Sequence, residues 1–110
     1  MNIISYIYSM PVATSFTADK LETAAFILKT IAHPTRIAII DLLKGGDELS
    51  VNEICHALED VEQSLVSHHL ANMKHKGVLN SRREGRKIYY FLKLQEVIAV
   101  LECMENCELR

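Results

Sequence analysis

Long apolar runs are missing from this chain: stretches such as the IAII after Arg36 are far too short to span a bilayer, which takes about 20 residues. The opening MNIISYIYSMPVATSF lacks the basic n-region and the small-residue cleavage site of a signal peptide, so the cytoplasm is the expected compartment. Cysteine is scarce and odd in number (Cys55, Cys103, Cys107), without the dense spacing of a secreted disulfide framework, which points to thiols in a reducing compartment. No nucleophile–base pair, Gly-rich phosphate loop or complete metal triad is visible, which argues against an enzyme. Net positive charge is missing too, the formal charge being −2.

What is present is an ordinary globular balance: 110 residues, 49% hydrophobic and 24% charged, enough for one domain. The distribution of charge says more than its sum. From Asp41 to Glu62 seven carboxylates face a single Lys44; from Gln63 to Lys93 seven basic residues face a single Glu84. Attraction to phosphate needs concentrated local charge, so the second half qualifies for nucleic acid while the total does not.

Residues 1–16 have no helical period and are expected to be an arm separate from the domain over 17–110. From Asp19 a helix is predicted, with Leu21, Ala24, Ala25, Leu28, Ile31 and Ala32 on one stripe. Phe26 and Ile27 make its other side apolar, so it needs cover on two sides, most economically from a second subunit. His33-Pro34 breaks that helix and opens a second, Pro34 to about Lys44, which stops at Gly45-Gly46. Ser50 and Glu53 form a capping-box pattern for a third helix whose last turn is Glu59-Asp60.

A fourth helix is predicted from about Glu62 to Lys76, closing at Gly77. Helical spacing puts Val66, Leu70 and Met73 on one stripe and Ser64, Ser67, His68, Ala71 and His75 opposite. A merely solvated face is normally rich in Lys and Glu; small hydrogen-bonding groups suit close approach to base edges. Two strands, Val78–Arg83 and Arg86–Leu92, are predicted around a Glu84-Gly85 turn, putting Arg82, Arg83, Arg86 and Lys87 at the hairpin tip. A fifth helix, Leu94 to about Leu109, is expected to pair with the first. The fold class is mainly α with a β-hairpin: about five helices and a two-stranded wing.

These residues carry a resemblance. LKTIAHPTRIAIIDLL around a His-Pro-x-Arg core, SVNEICHAL, QSLVSHHLANMKHKGVL with its Ser-x-His-Leu signature, and RREGRKIYYFL together resemble the ArsR/SmtB family of dimeric winged helix-turn-helix repressors. The resemblance implies a homodimer joined through the first and last helices, bound to an imperfect palindrome in double-stranded DNA with half-sites about 34 Å apart. It points to Gln63, Ser64, Ser67 and His68 for base or adjacent phosphate contacts and to Arg82, Arg83, Arg86 and Lys87 for the wing. His69, toward the apolar flank, is expected to be structural, as is His33; His56 and His75 are expected at the surface. A different class of function stays open: a winged-helix module that binds a protein partner through its apolar helices.

Family members commonly release DNA on binding a metal, arsenite or another signal. Cys55 matches the first cysteine of the family's third-helix Cys-x-Cys motif, but Ala57 stands at the second, and no Cys or His precedes His33. The positions of the fifth-helix zinc site hold Leu94, Glu96, Cys107 and Arg110, so that site is absent too. Cys103 and Cys107, four apart, are expected on one helix face with Cβ atoms about 5–6 Å apart. Such a pair can hold a soft ion (As(III), Cd or Zn), with a third thiolate from Cys55 or the partner subunit. Thiol-redox sensing and two inert thiols are the other readings.

Overall fold

The computed structural model describes residues 17–107. The arm expected over residues 1–16 lies outside the described residues. The chain falls into two compact units, residues 1–30 and 31–110.

Helix α1, Ala18–Ile31, accounts for nearly all of the described part of the first unit and ends at the first residue of the second. Thr17 starts it, its hydroxyl accepting from the backbone N–H of Lys20 at 3.2 Å. Asp19 in the first turn and Lys29 in the last both complement the helix dipole. Phe26 and Leu28 keep 47% and 50% of their surface exposed, so apolar area remains uncovered.

The second unit contains helix α2 (Pro34–Leu43), strand β1 (Leu49–Ser50), helices α3 (Val51–Ala57) and α4 (Gln63–His75), strands β2 (Leu79–Glu84) and β3 (Lys87–Leu92), and helix α5 (Glu96–Glu105). His33 caps α2, its Nδ1 accepting from the Thr35 N–H at 3.2 Å, and Pro34 takes the first helical position, where no N–H is missed. The capping box of α3 is complete: Ser50 Oγ accepts from the Glu53 N–H at 3.2 Å, and the Ser50 N–H donates to Glu53 Oε1 at 2.9 Å. The Ser50 N–H, and after it the Ser50 hydroxyl, hold the Glu53 carboxyl below its ordinary pKa.

The sheet has the order β1-β3-β2, antiparallel throughout, with β3 in the middle. Sequence reading gave two strands. The third, β1, pairs Leu49 with Tyr90 and Ser50 with Tyr89, and two residues are too few to show a strand's alternation. The hairpin turn also differs by one residue from expectation. Glu84 pairs with Lys87, so the turn residues are Gly85 and Arg86, with Gly85 at φ 63°, as a turn with glycine first requires.

Ile39, Ile40 and Leu43 of α2, Ile54 of α3, and Val66, Leu70 and Met73 of α4 are wholly buried, and Val97 and Leu101 of α5 close the core. Met104, one turn beyond Leu101 on the same helix, is 47% exposed. Helix α5 stops at Glu105, short of the expected Leu109, with Asn106 as its cap. No helix among the described residues is long and apolar enough to cross a membrane.

Candidate nucleic-acid interface

Helices α3 and α4 are joined by a turn made without glycine. After Ala57 the Asp60 N–H donates to Cys55 O at 2.8 Å and the Glu59 N–H to His56 O at 3.2 Å, the paired bonds of a Schellman stop. Glu59 and Asp60 both take left-handed backbone, φ 60° and 62°. That conformation costs a side-chain-bearing residue about 1–2 kcal/mol. The turn is thus held at some expense in the geometry that presents α4.

On α4, Val66, His69, Leu70 and Met73 face the core. Gln63, Ser64, His68, Ala71 and His75 are exposed and Ser67 is half-buried, so the residues expected to read DNA share the solvent side of the first two turns. Ser64 Oγ donates to Glu62 Oε1 at 2.7 Å, which aims its hydroxyl at the helix entrance.

A residue whose role sequence reasoning missed holds this helix in place. Arg36 of α2 donates from Nε to His69 Nδ1 at 2.9 Å and from Nη1 to Asn72 Oδ1 at 2.8 Å. The His33 ring lies 4.4 Å from that of His69. His69 is therefore structural: 4% exposed, its pKa pushed down by burial and then by the charges of His33, Arg36 and His68. The only trace in the sequence was the His-Pro-x-Arg segment, which places His33 and Arg36 one turn apart.

The wing, β2 with β3, carries the four expected basic residues, and they divide in two. Arg82 is paired through Nε with Glu48 and through Nη1 with Glu84 Oε2 at 2.7 Å, and its guanidinium lies 4.8 Å from the Tyr89 ring centre. The Arg83 Nε donates to the carbonyl of Gly85 at 3.1 Å, stiffening the turn. Arg86 and Lys87 make no ion pair or side-chain hydrogen bond among the described residues. Glu48, just before β1, had no signal in the sequence; only the folded sheet brings it to Arg82.

The cysteines do not assemble as anticipated. Among the described residues no three metal-ligating side chains come together, so Cys55 does not join Cys103 and Cys107 within one chain. Cys55 is half-buried on α3, and burial raises its thiol pKa. Cys103 and Cys107 are both exposed. Because α5 ends at Glu105, Cys107 lies beyond the helix, its N–H donating to Met104 O at 3.3 Å. The two cysteines therefore do not share a helix face in the way a continuous α-helix would impose. Nearby, Lys44 bridges Asp41 at 2.8 Å and Glu105 at 3.1 Å, tying the ends of α2 and α5, and these bonds raise its pKa.

Residues 31–82 match the family model described as a helix-turn-helix domain. The chain is 33% identical over 85 residues to the HTH-type transcriptional regulator YgaV of Escherichia coli K12, covering 77% of this chain and 85% of that protein. The solved structure of reduced HlyU from Vibrio cholerae superposes with a TM-score of 0.72 at 33% identity, over 84% of this chain and 95% of that one. The homodimeric winged helix-turn-helix DNA-binding domain of Mb0332 from Mycobacterium bovis gives 0.66 at 27% identity, over 87% of each chain.

Proposed function

The chain belongs to the ArsR/SmtB family of winged helix-turn-helix transcriptional regulators, and on that basis we propose that it represses transcription as a homodimer on a palindromic operator. The family is one of DNA-binding regulators, not of enzymes. The observation that carries the reading is the outer side of α4, where Gln63, Ser64, Ser67 and His68 offer small hydrogen-bonding groups on a helix pinned from behind by Arg36. Affinity comes chiefly from the wing cations and discrimination from α4. The homodimeric state of Mb0332 and the exposed Phe26 and Leu28 on α1 support assembly through the first and last helices.

A binding site selected from a random duplex pool tests this. The parent should prefer its selected site over scrambled sequence, and a Ser67→Ala/His68→Ala double variant should lose most of that preference while still binding duplex. Equal preference in both would remove α4 from base reading.

The exposure of Cys103 and Cys107 favours a signal-responsive regulator over a constitutive one. In that reading a thiophilic signal, a soft metal or metalloid such as As(III), Cd or Zn or an oxidising sulfur species, is taken up at Cys103 and Cys107 and releases the operator. A third thiolate, where a metal needs one, comes from the partner subunit. Operator binding titrated against arsenite, cadmium, zinc and polysulfide, in the parent and in Cys103→Ser and Cys107→Ser, decides it. Unchanged release in both variants rejects the cysteines as the switch.

A further inference from the structure

We infer that the cleft between the start of α3, the start of α4 and the wing seats one backbone phosphate of the DNA, with Asn52 and Gln63 donating hydrogen bonds and Arg86 and Lys87 supplying charge. The inference rests on the DNA-binding reading and adds to it a cleft, and a residue, Asn52, to which neither charge pattern nor family resemblance drew attention.

The cleft measures about 210 Å³ and is lined by Ser50, Val51 and Asn52, by Gln63, and by the wing residues Arg86, Lys87 and Ile88. Water occupies about 30 Å³ per molecule in the liquid, so a phosphodiester fits with some of its hydration. The sheet register brings these groups together. Pairing of Ser50 with Tyr89 sets the start of α3 against β3, where Lys87 and Ile88 lead into Tyr89, and Arg86 occupies the turn before them. Gln63 enters from the first position of α4.

The polar side chains of the cleft have unspent capacity. Asn52 and Gln63 are exposed and make no side-chain hydrogen bond among the described residues, and Arg86 and Lys87 are the two wing cations without an ion pair there. No carboxylate lines the cleft. The nearest one of note, Glu53, is capped by the Ser50 N–H and lies close enough to Lys87 for that charge to help lower its pKa, so Arg86 is the less encumbered cation. Two amide donors and two cations around a small opening are a complement for an anion with several acceptor oxygens. The position selects a backbone phosphate: Gln63 immediately precedes Ser64 and shares its exposed side of α4, so a duplex held there runs past the cleft.

The test compares the full-length parent with Asn52→Ala, Arg86→Gln and Lys87→Gln, binding a duplex of about 30 base pairs at a series of salt concentrations. Asn52→Ala should weaken binding about fivefold with an unchanged salt slope, since it removes a hydrogen bond and no charge. Arg86→Gln should lower the slope by about 0.9, the signature of one lost phosphate contact, and Lys87→Gln by less. The side-chain amide NMR signals of Asn52 and Gln63 should shift on adding duplex and should not saturate with millimolar inorganic phosphate. Parent-like affinity in Asn52→Ala with an unchanged slope in Arg86→Gln overturns the cleft while leaving the DNA-binding reading intact. Saturation by inorganic phosphate with no response to duplex makes the occupant a free anion and overturns the DNA assignment of the cleft. A parent that binds no duplex at any salt overturns the DNA-binding reading itself.

Discussion

Arg36 on α2 holds His69 on α4 through a 2.9 Å hydrogen bond from Nε to Nδ1, and the same guanidinium holds Asn72 one turn further along at 2.8 Å. Two bonds from one planar group fix both the distance and the rotation of α4 against α2. Arg36→Ala removes both and leaves a buried imidazole nitrogen without its donor. Unfolding by urea should show a loss of about 2–3 kcal/mol, since bonds involving a charged partner count for more than neutral ones. Arg36→Lys should recover only part, because an ammonium cannot reproduce the fork.

The same bond makes stability depend on pH. His69 accepts at Nδ1 and so is neutral with its proton on Nε2, which is buried with no partner among the described residues. Burial, and then nearby positive charge, lowers its pKa beneath the ordinary 6.5. The unfolded chain then binds more protons than the folded one below that value, so stability rises with pH. The contribution is full above about pH 6.5 and is lost as pH falls through and below it. Urea midpoints between pH 7.5 and 5 should decline, and the decline should be shallower in His69→Gln. An equal decline in both would assign the effect to other groups.

Much of this fold was legible because local rules and the tertiary solution agree: His33-Pro34, the Ser50/Glu53 box, Gly77 and the apolar stripe of α4 each sit where the sequence places them. The failures were non-local. Glu48 meets Arg82 across 34 residues and Arg36 meets His69 across 33, and no spacing rule reports such pairs. The wing's basic residues read as one group of four at the hairpin tip, but charge seen in sequence does not show which of them the fold pairs with a carboxylate, as it does Arg82. The expectation of one continuous helix face for Cys103 and Cys107 failed through helix length: α5 ends at Glu105, so Cys107 lies beyond it.

Arg82 should therefore behave unlike Arg86 although both sit on the wing. With Glu48 and Glu84 beside it and Tyr89 beneath it, its charge is largely cancelled, and its work is to fix the wing against the segment leading into β1. Arg82→Gln should weaken duplex binding while lowering the salt slope by clearly less than the 0.9 or so expected per phosphate lost. Glu48→Gln should loosen the wing by the same route, read as faster hydrogen exchange of β2 amides. A full unit loss of slope in Arg82→Gln would make it a phosphate ligand after all.

Thiol reactivity should separate the cysteines in the same order as their exposure. Thiolate is the reactive form, and burial raises the pKa of Cys55 while Cys103 and Cys107 stand in solvent. Timed alkylation by iodoacetamide at pH 8, followed by mass spectrometry, should label Cys103 and Cys107 first and Cys55 several-fold more slowly. Denaturation should abolish the difference. Cys55 labelling as fast as the others in the native protein would require α3 to open readily, and would put Cys55 on an equal footing with them as a sensor thiol.

The turn between α3 and α4 offers the sharpest stability contrast in the molecule. Glu59 and Gly77 occupy the same position of the same stop motif: each follows a helix cap in left-handed backbone, φ 60° and 85°, and each is followed by a residue whose N–H reaches five residues back, Asp60 to Cys55 and Val78 to Met73. Glycine takes that conformation freely and glutamate does not. Glu59→Gly should stabilise the protein by about 1 kcal/mol, the relief being partly offset by the greater freedom glycine gives the unfolded chain. Gly77→Ala should destabilise by a similar amount through backbone strain alone, because a Cβ placed there meets nothing within 4 Å. The pair is measured by urea unfolding of each single variant and the double, which should return near the parent value because the two turns lie at opposite ends of α4. Destabilisation by Glu59→Gly would mean that the Glu59 side chain supports the turn in a way that outweighs its strained backbone.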